Sequence, residues 1–112
     1  MEGDAKRQAR EALAIRLARM KVETLATYLQ DEEAEIRRAA AIACAKKESK
    51  ILIPNLISLI RDPETSVALA AHAALKDLTG QDFGPSADAS RQDRDQAALK
   101  WLRWWTKQNR EK

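Results

Sequence analysis

The residues best suited to ligand chemistry are three tryptophans near the C-terminal end, Trp101, Trp104 and Trp105. Basic side chains lie among and after them in the sequence: Lys100, Arg103, Lys107 and Arg110. Indole rings stack on nucleobases and cations neutralise phosphates, so this combination is typical of single-stranded nucleic-acid binding. The same tryptophans occur at the spacing of a helix that buries one face, and each buried indole would stabilise the fold by about 1.5–3 kcal/mol. The spacing therefore favours a hydrophobic cap over a base-stacking surface.

Cys44 and His72 are the single cysteine and the single histidine of the chain. A covalent attachment site or a nucleophile needs an exposed thiol with a base beside it. Cys44 instead falls on an apolar helical stripe, which predicts a buried and inert thiol. His72 flanks the stripe of its own helix, and one histidine with one cysteine cannot complete a zinc site. The sequence thus predicts no catalytic residue, no metal ligand and no cofactor.

Two amphipathic segments joined by an Asp-Pro turn predict a helical hairpin. The first, from Ile51 to Ile60, is apolar on nearly every side, so it needs several neighbouring helices. The second is predicted to begin with Asp62 at the N-cap and Pro63 at N1, and to end at Gly80 in a left-handed conformation. Its apolar stripe recurs at helical spacing: Val67, Ala70, Ala71, Ala74, Leu75 and Leu78.

The hairpin repeats earlier in the chain. Residues 51–80 align without a gap on residues 20–49, an offset of 31 residues. Asp31 aligns with Asp62, and Cys44 with Leu75. Self-similarity at this period with two helices per unit predicts an α-solenoid.

These residues resemble the HEAT repeats, and more specifically the short HEAT-like repeats of bacterial proteins, some of which are named after phycobilisome lyases. The matching features are Ile53-Pro54 early in the first helix, an aspartate in each inter-helix turn, and a β-branched residue five positions later (Ile36 and Val67). The stretch that begins at Leu78 (LTGQDFGP), followed by a Trp-rich tail, is similar to the C-terminal end of some bacterial HEAT-like proteins.

The resemblance also implies an interaction between the repeats. In the family, an arginine follows the β-branched residue and forms a ladder with the turn aspartates. The first unit has this arginine as Arg37, whereas the second has Ala68 in its place. The resemblance therefore implies that Arg37 lies beside Asp31 or Asp62, and it implies no such contact for the second unit.

The predicted fold is a single all-α domain over residues 1–112: a short α-solenoid of antiparallel helix pairs, with two HEAT-like repeats between an N-terminal helix and a Trp-rich C-terminal capping helix. The predicted segments are an N-terminal helix (1–19), a first repeat (20–48), a second repeat (49–80), a loop (81–90) and the capping helix (91–112). A bend is expected near residues 19–21, since packing requires the helices to fold back.

Apolar stripes on the two terminal helices predict which of their faces are buried. The stripe of the N-terminal helix consists of Ala9, Ala12, Leu13, Leu17 and Met20. The stripe of the capping helix consists of Ala98, Trp101, Leu102 and Trp105, with Phe83 expected to pack at the base of the last repeat.

Composition excludes other classes of protein. Charged residues make up 33% and hydrophobic residues 45% of the 112 residues, which favours a folded helical chain over disorder. No apolar run reaches the about 18 residues of a membrane span, and the N-terminal segment lacks the apolar region of a secretory signal. These features favour a cytoplasmic protein. The net charge of +3 is small, and both signs are interspersed.

The favoured function is a non-catalytic protein–protein interaction scaffold that forms one segment of a longer protein. The predicted partner surface lies on the second helices of the repeats, at Arg38, Ala41, Leu69, His72 and Lys76. Homodimerisation through the N-terminal face is a further possibility, because a truncated solenoid leaves an open end there. Two alternatives stay open, a bilin or cofactor lyase-like HEAT protein and a nucleic-acid-binding HEAT-like module.

Overall fold

Six α-helices and one short 3₁₀ helix make up the computed structural model, which describes the backbone of residues 3–110 and the side chains of residues 5–110. The α-helices are α1 (Gly3–Ala18), α2 (Val22–Tyr28), α3 (Ala34–Lys46), α4 (Ile53–Leu59), α5 (Thr65–Thr79) and α6 (Arg91–Arg110). The 3₁₀ helix, Lys50–Leu52, directly precedes α4. No strand occurs within residues 3–110, so the all-α class is confirmed there. The predicted helix ends at residues 1, 2, 111 and 112 lie outside the described residues.

α3 occupies the middle of the fold. It packs against α1, α5 and α2, while α4 packs against α5 and α6. Its buried side chains are all small, namely Ala39, Ala40, Ala41, Ala43 and Cys44. Small side chains let neighbouring helices approach closely, and the larger core residues come from α2, α4 and α5, including Leu25, Leu56, Ile60, Val67 and Leu75. The radius of gyration of 13.7 Å is that of a compact domain.

The expected bend near residues 19–21 separates α1 from α2. The N–H groups of Arg19 and Met20 donate to the carbonyls of Arg16 and Leu17, which ends α1 with a tightened turn. Lys21 then adopts an extended conformation, with φ −63° and ψ 153°, before α2 begins.

The start of α5 differs from the prediction. Glu64, with φ −91° and ψ 119°, is the N-cap residue, and Asp62 and Pro63 lie in the turn before it. The Asp62 carboxylate accepts a hydrogen bond from the N–H of Glu64, so it stabilises the turn rather than the first helical residues. The predicted end is confirmed, because Gly80 has φ 73° in the left-handed region.

Three predicted core positions are wrong. Ile51 is 71% exposed because it lies in the 3₁₀ helix, whose geometry turns its side chain to solvent while Leu52 is buried. Ala9 and Ala12 are exposed because α1 packs mainly against α3, and the buried positions of α1 are Ala14 and Leu17.

α6 is held by its N-cap and by one tryptophan. The Ser90 hydroxyl accepts a hydrogen bond from the N–H of Asp93, as expected of an N-cap residue. Trp101 is fully buried, and its indole Nε1–H donates to the carbonyl of Gly84 at 2.8 Å. Leu102 was expected in the same stripe but is 46% exposed, because α4 covers only one face of α6. Within the described residues, no helix is both long and apolar enough to cross a membrane.

Candidate partner-binding surface

The side-by-side arrangement of α3 and α5 depends on one arginine. Arg37 Nε and Nη2 donate to the two carboxylate oxygens of Asp62 at 2.8 and 3.1 Å, and Nη1 donates to the carbonyls of Asp31 and Glu32. The Arg37 side chain is only 14% exposed and that of Asp62 only 5%. The hydrogen bond to Asp62 raises the pKa of Arg37. The expected contact of Arg37 is therefore confirmed, and it joins the turn before α3 to the turn before α5.

A shallow apolar groove follows the junction of α3 and α5. Its volume is about 230 Å³, and four alanines line it: Ala45, Ala70, Ala73 and Ala74. Ile42, Lys46 and Asp77 complete the lining. The groove is open to solvent along its length, so an apolar side chain of another molecule can enter it.

A second groove, of about 290 Å³, runs between α1 and α3. It is lined by Arg7, Arg10, Glu11, Arg38 and Ile42. Because Ile42 lines both grooves, they form one surface across three helices, which we call the α1–α3–α5 face.

The α1–α3–α5 face carries more positive than negative charge. Four basic side chains and two acidic ones line its two grooves: Arg7, Arg10, Arg38, Lys46, Glu11 and Asp77. Arg10 Nε lies 3.1 Å from Glu35 Oε2, and Lys46 Nζ lies 3.6 Å from Glu11 Oε2. These pairs are solvent-exposed, so each contributes about 0–1 kcal/mol to stability, and the side chains stay available to a ligand.

The predicted partner residues separate into two groups. Arg38 lies in the groove between α1 and α3, and Leu69 is 38% exposed on α5. His72 and Lys76 lie instead near Asp82, in the loop after α5. Ala41, predicted on the same surface, is fully buried because α3 has helices on both sides.

His72 attaches the loop to α5. Its Nε2 lies 2.8 Å from Oδ1 of Asp82, and the same oxygen accepts a hydrogen bond from the N–H of Gly84. The hydrogen bond with His72, followed by that from Gly84, lowers the pKa of Asp82. The expected hydrogen bond at the helix edge is confirmed, and it directs this imidazole toward the loop.

Replacing His72 with alanine is expected to raise the pKa of Asp82 toward its ordinary value of 3.8. A lowered carboxylate pKa stabilises the fold at pH values above 3.8, and this stabilisation is lost as the pH falls through the lowered value. The carboxyl ¹³C chemical shift of Asp82, followed by NMR against pH, measures the change. Lys76→Ala is the control with a smaller effect, because Lys76 is the weakest cause. An Asp82 titration identical in wild type and His72→Ala would contradict the assignment.

The side chain of Cys44 has none of the properties of an attachment site. It is fully buried, and burial raises the pKa of its thiol to about 12. The thiol is therefore neutral and inaccessible at physiological pH, as expected for a residue of the core.

We expect Cys44 to react with a thiol reagent such as dithionitrobenzoate at least about a thousand times more slowly in the folded protein than in urea, since reaction requires opening of the core. A variant with an added surface cysteine at Gln96, an exposed position, provides the matched control. Labelling of Cys44 at the rate of the Gln96→Cys thiol would show that the site is open and would favour the lyase alternative.

The tryptophans pack on one another and on Phe83. The rings of Phe83 and Trp101 meet edge to face at 4.9 Å, and those of Trp101 and Trp104 at 6.5 Å. Trp104 and Trp105 are half-buried. Since α6 packs against α4 through its buried face, the aromatic cluster closes this end of the core, as the spacing of the tryptophans predicts.

Ile42 was not among the predicted surface residues, although the sequence contains a signal for it. At the offset of 31 residues it aligns with Ala73, so both residues occupy the same place in their repeats. Each lines the groove between α3 and α5. The repeat register alone would therefore have identified this pair.

Within the described residues, no group of three histidine, cysteine or acidic side chains is arranged to hold a metal ion. Comparison with known proteins adds no relative, since no family model, no curated protein and no solved structure matches the chain.

Proposed function

We propose that this chain is a short HEAT-like α-solenoid that binds a protein partner and catalyses no reaction. In this arrangement α2 and α3 form the first antiparallel repeat, α4 and α5 form the second, and α1 and α6 flank them. Two features support it: the repeat of 31 residues in the sequence, and the contact of Arg37 with the turn of the following unit. The proposal includes that the chain acts as part of a longer protein.

The observation that carries the binding role is the meeting of two grooves at Ile42. One groove is lined mainly by alanine and the other mainly by arginine. A partner that fits both has apolar side chains on one side and carboxylates beside them, which is the pattern of an acidic amphipathic helix. Its apolar side chains would enter the groove at Ala73, and its carboxylates would pair with Arg7 and Arg38.

The two alternative functions rest on residues that are used within the fold. A lyase-like role would need Cys44, whose side chain is fully buried. Nucleic-acid binding through stacking would need the face of Trp101, which packs against Phe83. The protein-binding proposal instead uses side chains that remain exposed or line open grooves.

Site-specific photo-cross-linking in the native cell tests the proposal. We expect a benzophenone amino acid at Ala73 to yield one discrete protein adduct, whereas the same group at Gln96 on α6 yields none. Reversing the charge in Arg7→Glu/Arg38→Glu should lower the yield about tenfold, because complementary charges speed association. Lys100→Glu/Arg103→Glu carries the same charge change on α6 and should leave the yield unchanged. Equal adducts from Ala73 and Gln96, or none from Ala73, would overturn the proposal, and an adduct with a second copy would identify the partner as this chain.

A further inference from the structure

A separate cavity of about 300 Å³ lies between the turn after α4 and the first turns of α6. It is lined by Arg61, Pro63, Arg91, Arg94 and Asp95. Three of the lining residues are positively charged and only Asp95 is negative. Asp95 Oδ1 already pairs with Arg61 Nε at 3.4 Å. The charges of Arg91 and Arg94 are therefore not balanced by the residues that line the cavity.

The contacts of Arg94 reproduce half of those of Arg37. Arg37 Nη1 donates to the carbonyl of Asp31, and Arg94 Nη1 donates to the carbonyl of Asp62, the aligned residue of the next repeat. Arg37 uses its Nε and Nη2 to hold the Asp62 carboxylate. The Nε of Arg94 is buried and has no hydrogen-bond partner. Arg94 thus supplies from α6 the arginine that Ala68 lacks, and its carboxylate-binding edge has no carboxylate.

A buried N–H group without a partner is rare in native proteins and calls for an explanation. A guanidinium binds a carboxylate through two parallel hydrogen bonds, and its positive charge strengthens both. Arg94 as a whole is only half-buried, so a small rotation of its side chain brings Nε to the cavity. Arg91, which is exposed at the mouth of the same cavity, adds a second positive charge.

We propose that this cavity, the Arg91–Arg94 pocket, binds the carboxylate of an aspartate or glutamate from an acidic protein segment. Arg94 holds the carboxylate in the way that Arg37 holds Asp62, and Arg91 provides additional attraction. The pocket is distinct from the α1–α3–α5 face and does not depend on the function proposed for that face.

NMR of the arginine Nε–Hε groups in the intact chain tests the pocket, with acetylated and amidated tetraglutamate as the probe. We expect the Arg94 signal to shift saturably with peptide concentration. Arg91→Gln should raise the dissociation constant about tenfold, the size of effect expected for loss of one charge-assisted hydrogen bond. Arg103→Gln removes the same charge from the exposed side of α6 and should change the constant by less than about twofold. The amide spectrum of each variant verifies that it is folded.

Three results would overturn the proposal: an Arg94 signal that does not shift saturably, equal weakening by Arg91→Gln and Arg103→Gln, or tight binding of inorganic phosphate without binding of tetraglutamate at the same ionic strength. The first two mean that the pocket binds nothing or only attracts negative charge non-specifically, and the third assigns it to phosphate groups. Arg7→Glu/Arg38→Glu should leave the titration unchanged, so failure of either proposal is distinguishable from failure of the other.

Discussion

Replacing Arg37 with alanine is expected to lower the free energy of unfolding by about 3–5 kcal/mol, the cost of breaking a buried ion pair from one side. The Asp62 carboxylate, only 5% exposed, would lose two short hydrogen bonds and its counter-charge. The carbonyls of Asp31 and Glu32 would lose their donor as well. A domain of this size has about 5–15 kcal/mol of stability in total, so much of it would be lost. Urea unfolding followed by circular dichroism measures the change.

The neighbouring residue provides the matched control. Arg38 lies 4.0 Å from an exposed carboxylate oxygen of Glu35, so Arg38→Ala should cost less than about 1 kcal/mol. Replacing both partners, in Arg37→Met/Asp62→Leu, should cost less than Arg37→Ala alone, because no buried charge is left unpaired. Equal losses for Arg37→Ala and Arg38→Ala would show that the contact with Asp62 does not stabilise the fold.

Replacing Trp101 with alanine is expected to destabilise the protein by about 3–5 kcal/mol, the range found for removal of a buried large aromatic side chain. The indole is fully buried, and α4 and Phe83 would face the resulting cavity. The carbonyl of Gly84 would also lose its donor, which loosens the loop between α5 and α6. The same unfolding measurement, with near-ultraviolet circular dichroism to report on aromatic packing, determines the effect.

Two variants separate packing from hydrogen bonding at Trp101. Trp101→Phe keeps most of the apolar volume and removes the Nε1–H donor, so it should recover a large part of the loss and leave a cost of about 1–2 kcal/mol. Leu102→Ala truncates the adjacent residue, which is 46% exposed, and should change stability by less than about 1 kcal/mol. A loss from Leu102→Ala as large as that from Trp101→Ala would mean that the opposite face of α6 is the buried one.

Helical periodicity was sufficient to predict the number of helices, the stripe of α5 and the ends marked by Gly80 and Ser90. These features depend on short-range geometry, such as a left-handed residue that ends a helix or a hydroxyl that caps one. The errors at Ile51 and Leu102 have a different origin. Whether a residue at the edge of a stripe is buried depends on which helix covers it, and a single helix of the sequence does not contain that information.

The candidate surfaces divide in the same way. The contact of Arg37 with Asp62 follows from the alignment of the repeats, because equivalent residues of adjacent units lie close together. The role of Arg94 could not be predicted, since its sequence neighbours give no sign that α6 returns to the turn at Asp62. That return depends on the path of residues 81–90, which the hydrogen bonds of Asp82 and Trp101 determine.

Asp62 accepts hydrogen bonds from three separate parts of the chain. Its carboxylate binds Arg37 of α3 and the N–H of Glu64, and its carbonyl binds Arg94 of α6. Detachment of α6 therefore disturbs a residue that also holds the first hairpin in place. Although repeat proteins are able to fray stepwise from one terminus, a chain connected in this manner loses its ordered structure cooperatively, with slow amide exchange shared between distant helices.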